Sequence, residues 1–192
     1  MGRPKQFDPD TAVDRAVEVF WRKGYASTTP QDLVEALGIG KGSLYNTFSS
    51  KHALFERALR RYGENRVTGL VELLEEPGPV RARLRAALQR LVDTDPADPS
   101  RRGCLAVNTA AELAGVDDTA TEIVRAVLDG MESAFQAAIQ DGQRGGEIDA
   151  ARDSRQLASL LLTTAIGMSV VAKTAQGPQR LRRVVDGVMA SL

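Results

Sequence analysis

Gly38-Ile39-Gly40-Lys41-Gly42-Ser43-Leu44-Tyr45-Asn46-Thr47-Phe48 is a tight turn running into a very short helix. Leu44 and Phe48 lie four apart, so they share a helix face that can enter a core. Ser43, Tyr45 and Asn46 then turn away from that core, with Lys41 before them and Lys51 just after. No acidic residue occurs between Ala36 and Phe55. A short helix with small polar donors outward and lysines on its flanks suits a DNA major groove.

Upstream of this stretch, two helices are marked at both ends. Asp8-Pro9 supplies an N-cap and a first-turn proline, Val13, Ala16, Val17 and Phe20 recur at helical spacing, and Gly24 ends the run. Thr29-Pro30 repeats the start signal, Leu33, Val34 and Leu37 turn inward, and Gly38 stops the second helix. Arg3 and Lys5 form a short basic arm before the first helix, either frayed or in contact with a DNA backbone.

Downstream, Ser50 caps a fourth helix in which Leu54, Phe55, Ala58, Leu59 and Tyr62 recur, and Pro77-Gly78-Pro79 closes it by about Glu76. Further helices are expected over 80–94, 104–114, 118–144, 153–174 and from Pro178 onward. No segment alternates with period two. The expectation is an all-α fold of about nine helices.

Composition divides the chain. Residues 1–70 hold 11 Lys/Arg against 8 Asp/Glu, and residues 71–192 hold 14 against 17. Eight of the nine aromatics lie between Phe7 and Tyr62. This contrast predicts two domains with different tasks, at 1–66 and 67–192. The N-terminus has no apolar signal core, and the uncharged run 157–172 is shorter than the ~20 residues of a spanning helix. A protein without a membrane segment, acting in the cytoplasm, is expected, and a single cysteine fits a reducing compartment.

Catalysis finds no support. His52 is the only histidine, beside Lys51 at a helix start, where a solvated surface position is expected. No spacing of His, Cys, Asp or Glu matches a zinc site. Gly38–Ser43 superficially resembles a phosphate loop, but lacks the glycine and hydroxyl positions either nucleotide pattern requires, and follows no strand. No catalytic residue, metal or cofactor is assigned.

A helix-turn-helix needs a bracing helix, a tight turn and a second helix that enters the groove by its N-terminal residues. Pro30–Leu37, Gly38–Gly40 and Lys41–Thr47 provide these in order. Gly24-Tyr25, Thr28-Thr29, Leu33 and the unbroken run Leu37–Leu54 resemble the DNA-binding domain of TetR-family transcriptional regulators, in a match covering about residues 7–62. The resemblance implies a three-helix head joined by helix four to a helical body that binds ligands and dimerises. It also implies a homodimeric repressor, released from a palindromic double-stranded operator by a small molecule. By position, Thr29 and Gln31 begin helix two, Lys41, Gly42, Ser43, Tyr45 and Asn46 lie on the recognition helix, and Lys51 meets a phosphate. Pro30 stands where relatives often carry a polar or β-branched residue, and Gly40 replaces a Ser or Thr cap.

In the body, inward positions on the middle helices are the candidates for an effector pocket: Leu88, Leu91, Cys104, Asn108, Met131, Phe135, Leu161 and Met168. Arg102–Asn108 looks like a segment of one subset of the family, in some of whose members the cysteine senses electrophiles or oxidants. The alternative is a buried small hydrophobe. The last two helices are the candidates for dimerisation, through Leu157, Thr164, Gly167 and Val171 on one and Leu181, Val184, Val185 and Val188 on the other. Other functional readings remain open: a ligand-responsive activator, or a helical carrier or enzyme, which lacks any catalytic constellation here.

Overall fold

In the computed structural model, which describes residues 7–92 and 102–192, the described residues form nine helices. They are α1 (Pro9–Lys23), α2 (Pro30–Leu37), α3 (Lys41–Phe48), α4 (Lys51–Leu74), α5 (Val80–Val92), α6 (Leu105–Leu113), α7 (Asp118–Arg144), α8 (Ser154–Ala172) and α9 (Gln179–Ala190). Arg3, Lys5 and the side chain of Leu91 lie outside the described residues.

The helix ends follow the local chemistry. Asp8 accepts from the N–H groups of Asp10 and Thr11. Thr29 and Asp32 form a reciprocal capping box at the start of α2. Asp117 and Asp153 cap α7 and α8. Gly38 sits in the left-handed region (φ 67°, ψ 31°) and lets the chain reverse between α2 and α3.

Helices α1–α3 close a small core of Val13, Ala16, Phe20, Leu33, Leu37, Leu44 and Phe48, all buried. Leu54, Phe55 and Leu59 of α4 complete it. Each such large apolar side chain contributes ~1.5–3 kcal/mol by leaving water. The same α4 then runs on into the body and packs along α7, while α7 packs on α8 and α5 on α9. The expected domain boundary at residue 66 therefore falls inside one continuous helix.

The α4–α7 approach depends on Gly63. A Cβ there would lie 2.2 Å from Val127 Cγ2, so any side chain would push the two helices apart.

Helix α8 corrects one expectation. It has 19 residues and is long and apolar enough to cross a membrane by length and composition. Yet Leu157, Leu161 and Met168 are buried in the body, while Leu160 and Val170 are 41% and 49% exposed. One face is core and the other is uncovered; the helix is longer than its uncharged run, and one side of it packs in the body.

Candidate nucleic-acid interface

The recognition surface is built on α3, held by two buried anchors. Leu44 and Phe48 are each 2% exposed and lock the helix onto the head. Phe7 lies against Phe48 with ring centroids 6.4 Å apart, and the Arg57 guanidinium sits 5.6 Å over the same ring. Arg15 of α1 donates to the Leu37 carbonyl at 3.2 Å, satisfying the C-terminal end of α2 just before the turn.

On the opposite side, Lys41, Gly42, Ser43 and Asn46 are exposed and Tyr45 is half-buried. Among the described residues, the side chains of Lys41, Ser43, Tyr45 and Asn46 make no hydrogen bond or ion pair. Gly40 gives α3 no side-chain cap, so the first N–H groups of the helix stay unpaired toward solvent. An uncapped helix start with positive dipole, one lysine and three polar side chains is a set of unspent donors.

The first turn of α2 differs. The Thr29 hydroxyl accepts from the Asp32 N–H at 3.2 Å, and the Gln31 amide donates to Glu35 at 2.8 Å. Asp32 also meets Lys23 at 2.7 Å. That ammonium, with the N–H and hydroxyl of Thr29, holds the Asp32 carboxyl down at about 2. Gln31 and Thr29 are exposed, but their polar atoms already serve α2.

Lys51, expected to meet a phosphate, is engaged within the head. Its Nζ donates to the carbonyls of Tyr25 and Thr28 at 2.9 and 3.0 Å, and lies 4.1 Å from the Tyr25 ring centroid. Two of the three N–H donors of its ammonium therefore fasten the α1–α2 turn.

His52 keeps 39% of its side chain exposed, as a surface position should, but it is not without partners. Its ring meets Asp117 at 2.6 Å and Glu56 at 3.0 Å, tying the start of α4 to the α6–α7 turn. The Ala120 N–H and then His52 hold the Asp117 carboxyl below its ordinary range. Glu112 of α6 accepts from the N–H groups of Tyr25 and Ala26 at 3.0 and 2.6 Å. Trp21 donates to the Gly103 carbonyl at 3.1 Å. These head-to-body links escape sequence reasoning. Glu112, the one charged residue on α6, is the only signal that could have found one of them.

The expected effector positions are packed. Leu88, Phe135, Leu161 and Met168 are 2% exposed or less, and Met131 is 6%. The Asn108 amide donates to the Arg102 carbonyl at 2.9 Å and its oxygen accepts from Lys173. Cys104 is buried, and the Tyr62 hydroxyl donates to its Sγ at 3.4 Å. Leu88, Cys104, Met131, Phe135, Leu161 and Met168 are thus part of the body core, on α5, α7 and α8 and at the start of α6, while Asn108 is half-buried.

Of the expected dimer positions, Leu157, Leu181 and Val185 are also core, at 4%, 3% and 1% exposure. The period of 3.6 turns them inward. Gly167 and Val184 are exposed and Thr164, Val171 and Val188 half-buried. On α8 and α9 the uncovered large apolar positions are Leu160, Val170 and Val184, of which sequence reasoning missed the first two.

Residues 12–58 match the family described as bacterial regulatory proteins of the tetR family, and residues 81–188 match the tetracyclin repressor-like C-terminal domain. The chain is 33% identical to the HTH-type transcriptional regulator YezE of Bacillus subtilis, over 97% of this chain and 96% of the relative. It is 29% identical to the HTH-type transcriptional repressor ComR of Escherichia coli, over 95% and 88%. A solved cysteine variant of the TetR-family regulator CifR, complexed with operator DNA, superposes with a TM-score of 0.84 at 32% identity, over 98% of both chains. The chain belongs to the TetR family of transcriptional regulators.

Proposed function

We propose that this protein is a homodimeric repressor that binds a palindromic operator through α3 and releases it when a small molecule occupies the body. The observation that carries the DNA site is the contrast between spent and unspent donors. Lys41, Ser43, Tyr45 and Asn46 satisfy nothing within the head, whereas Lys51, Thr29 and Gln31 already do. In this reading Lys41 and the first N–H groups of α3 meet phosphates, and Ser43, Tyr45 and Asn46 address base edges. Gly42 lets the backbone approach closely. Such regulators act in the cytoplasm, where the chromosome lies.

Dimerisation is assigned to the uncovered face of α8 with α9, through Leu160, Thr164, Gly167, Val170 and Val171 with Val184 and Val188. Gly167 has open space around its Cβ position, which admits a second helix at close range. Two heads on one twofold read half-sites about one turn apart (~34–36 Å) or a multiple of that.

Selection of bound genomic fragments with the purified protein tests this reading. The expected product is an inverted repeat. Binding to it weakens steeply with salt, and Lys41→Ala lowers the log–log salt slope by about 1 per protomer. Fragments without symmetry, or a Tyr45→Ala variant that binds as well as the parent, would overturn it.

A second reading is favoured by one contact. Cys104 stands at the N-cap position of α6 and its sulfur takes the Tyr62 hydroxyl of α4, so modification of the thiol would press on the helix that carries the head. Iodoacetamide treatment followed by operator titration tests it. Release that disappears in Cys104→Ser supports a thiol-responsive repressor, and unchanged affinity after complete alkylation rules it out.

A further inference from the structure

A groove of about 380 Å³ opens between α1 and the part of α4 that leads into the body. Val17, Glu18 and Trp21 of α1 form one wall, and Tyr62, Asn65 and Arg66 of α4 the other. Its carboxylates are already paired: Asp14 with Arg61 at 2.9 Å, and Glu18 with Arg102. Its arginine is not. Among the described residues Arg66 makes no ion pair or hydrogen bond, and its Nε is buried without a partner. A buried N–H left unmade is unfavourable, and more so on a charged group.

Beside this arginine the wall is aromatic and angled. Trp21 meets Tyr62 edge to face with centroids 5.0 Å apart, and Arg102 covers the indole at 4.5 Å. Burial pushes the Tyr62 phenol up, followed by Cys104, while the Arg66 charge pulls the other way. The buried Nε sets the base of that guanidinium against the groove wall.

The geometry points to an anion subsite in this groove, which takes a small organic carboxylate with a flat or short apolar body. Arg66 receives the carboxylate through its planar fork of N–H donors, which matches two carboxylate oxygens. Asn65 supplies a neutral donor beside it, and the apolar body covers Val17 and the Trp21–Tyr62 corner. Arg66 repels a cation. Inorganic phosphate has the charge but leaves the apolar wall uncovered. A ligand wedged here bears on the α1–α4 packing that sets the head, and through Tyr62 on Cys104. As an effector site the groove rests on the regulator reading; as a binding site it does not.

Trp21 is the only tryptophan in the chain, so its indole N–H gives a single reporter in the nitrogen-15 spectrum of the full-length protein. Titration with benzoate or octanoate is expected to shift this signal saturably, while benzamide leaves it in place. Arg66→Gln weakens the carboxylates at least tenfold. Arg66→Lys, which keeps the charge and loses the fork, falls between and covers the case in which Arg66→Gln does not fold. A signal unmoved by both carboxylates overturns the site, as does an equal response to benzamide or full affinity in Arg66→Lys. Binding of a selected DNA fragment is read on the same samples by fluorescence anisotropy. DNA binding with a silent Trp21 removes the site and leaves the regulator. A saturable shift in a protein that binds no DNA keeps the site and removes the regulator.

Discussion

Glu112 on α6 accepts the backbone N–H of Tyr25 at 3.0 Å, so a body side chain caps a turn of the head. The same carboxylate takes the Ala26 N–H at 2.6 Å. A single acid thus satisfies two turn donors that no helix provides for. Glu112→Ala is expected to cost about 1.5–3 kcal/mol, the range for hydrogen bonds to a charged group. Hydrogen exchange at the Tyr25 and Ala26 amides checks it directly: both speed up, while amides in the middle of α7 keep their protection.

Two lysines in the head separate structure from binding. Lys51→Met removes two hydrogen bonds and the contact with the Tyr25 ring, and should destabilise the head by about 2–4 kcal/mol. Lys41→Ala removes a side chain without a partner and should leave thermal stability within about 0.5 kcal/mol. Operator affinity falls in both, for different reasons. Calorimetric melting beside a DNA titration distinguishes them, and equal loss of stability would refute the division.

Asp32 makes the head sensitive to acid. Its carboxyl sits at about 2 in the folded chain, below the ordinary 3.8, through Lys23 first and Thr29 second. A depressed folded value means that the unfolded state binds the proton more readily. The Asp32 contribution is therefore complete above about pH 4 and drains away as pH falls toward 2. Asp32→Asn should flatten that acid limb. Melting temperature against pH, compared between parent and variant, gives the measurement.

Ser49 stores strain between α3 and α4. It is the one non-glycine residue with positive φ among those described, at φ 64° and ψ −47°, and the Ser50 N–H reaches the Phe48 carbonyl at 2.7 Å across it. This is a three-residue turn of the strained hand. Glycine relieves ~1–3 kcal/mol of such strain and costs ~0.4–1 in unfolded-chain entropy. Ser49→Gly should therefore stabilise by about 1 kcal/mol, raising Tm by ~2–4 °C.

Val170, at 49% exposure on α8, tests the twofold face. Val170→Asp sets a carboxylate against its own mate across the axis and should give monomers at micromolar concentration in sedimentation. The protomer itself should stay folded, because the side chain lies outside its core. A dimer that persists would place the interface elsewhere.

The sequence by itself determined the elements. Capping residues, prolines and glycines are read locally, by the chain within a turn or two, so Asp8, Thr29-Pro30, Gly38 and Ser50 fixed α1 to α4. The buried pair Leu44 and Phe48, with the polar residues between them, followed from helical spacing alone. What only the tertiary structure decided is which polar groups are already spent. Lys41 and Lys51 are equivalent on paper, and only folding sets the Tyr25 and Thr28 carbonyls beside the second. The same holds for α8 and α9, where apolar spacing lists Leu157, Leu181 and Val185 as readily as Leu160 and Val170. Packing against α5 and α7 uses up one set and leaves the other uncovered. Glu112 on Tyr25 is a pairing across 87 positions, and Arg66 and Trp21, 45 positions apart, line one groove; no local rule reaches that far.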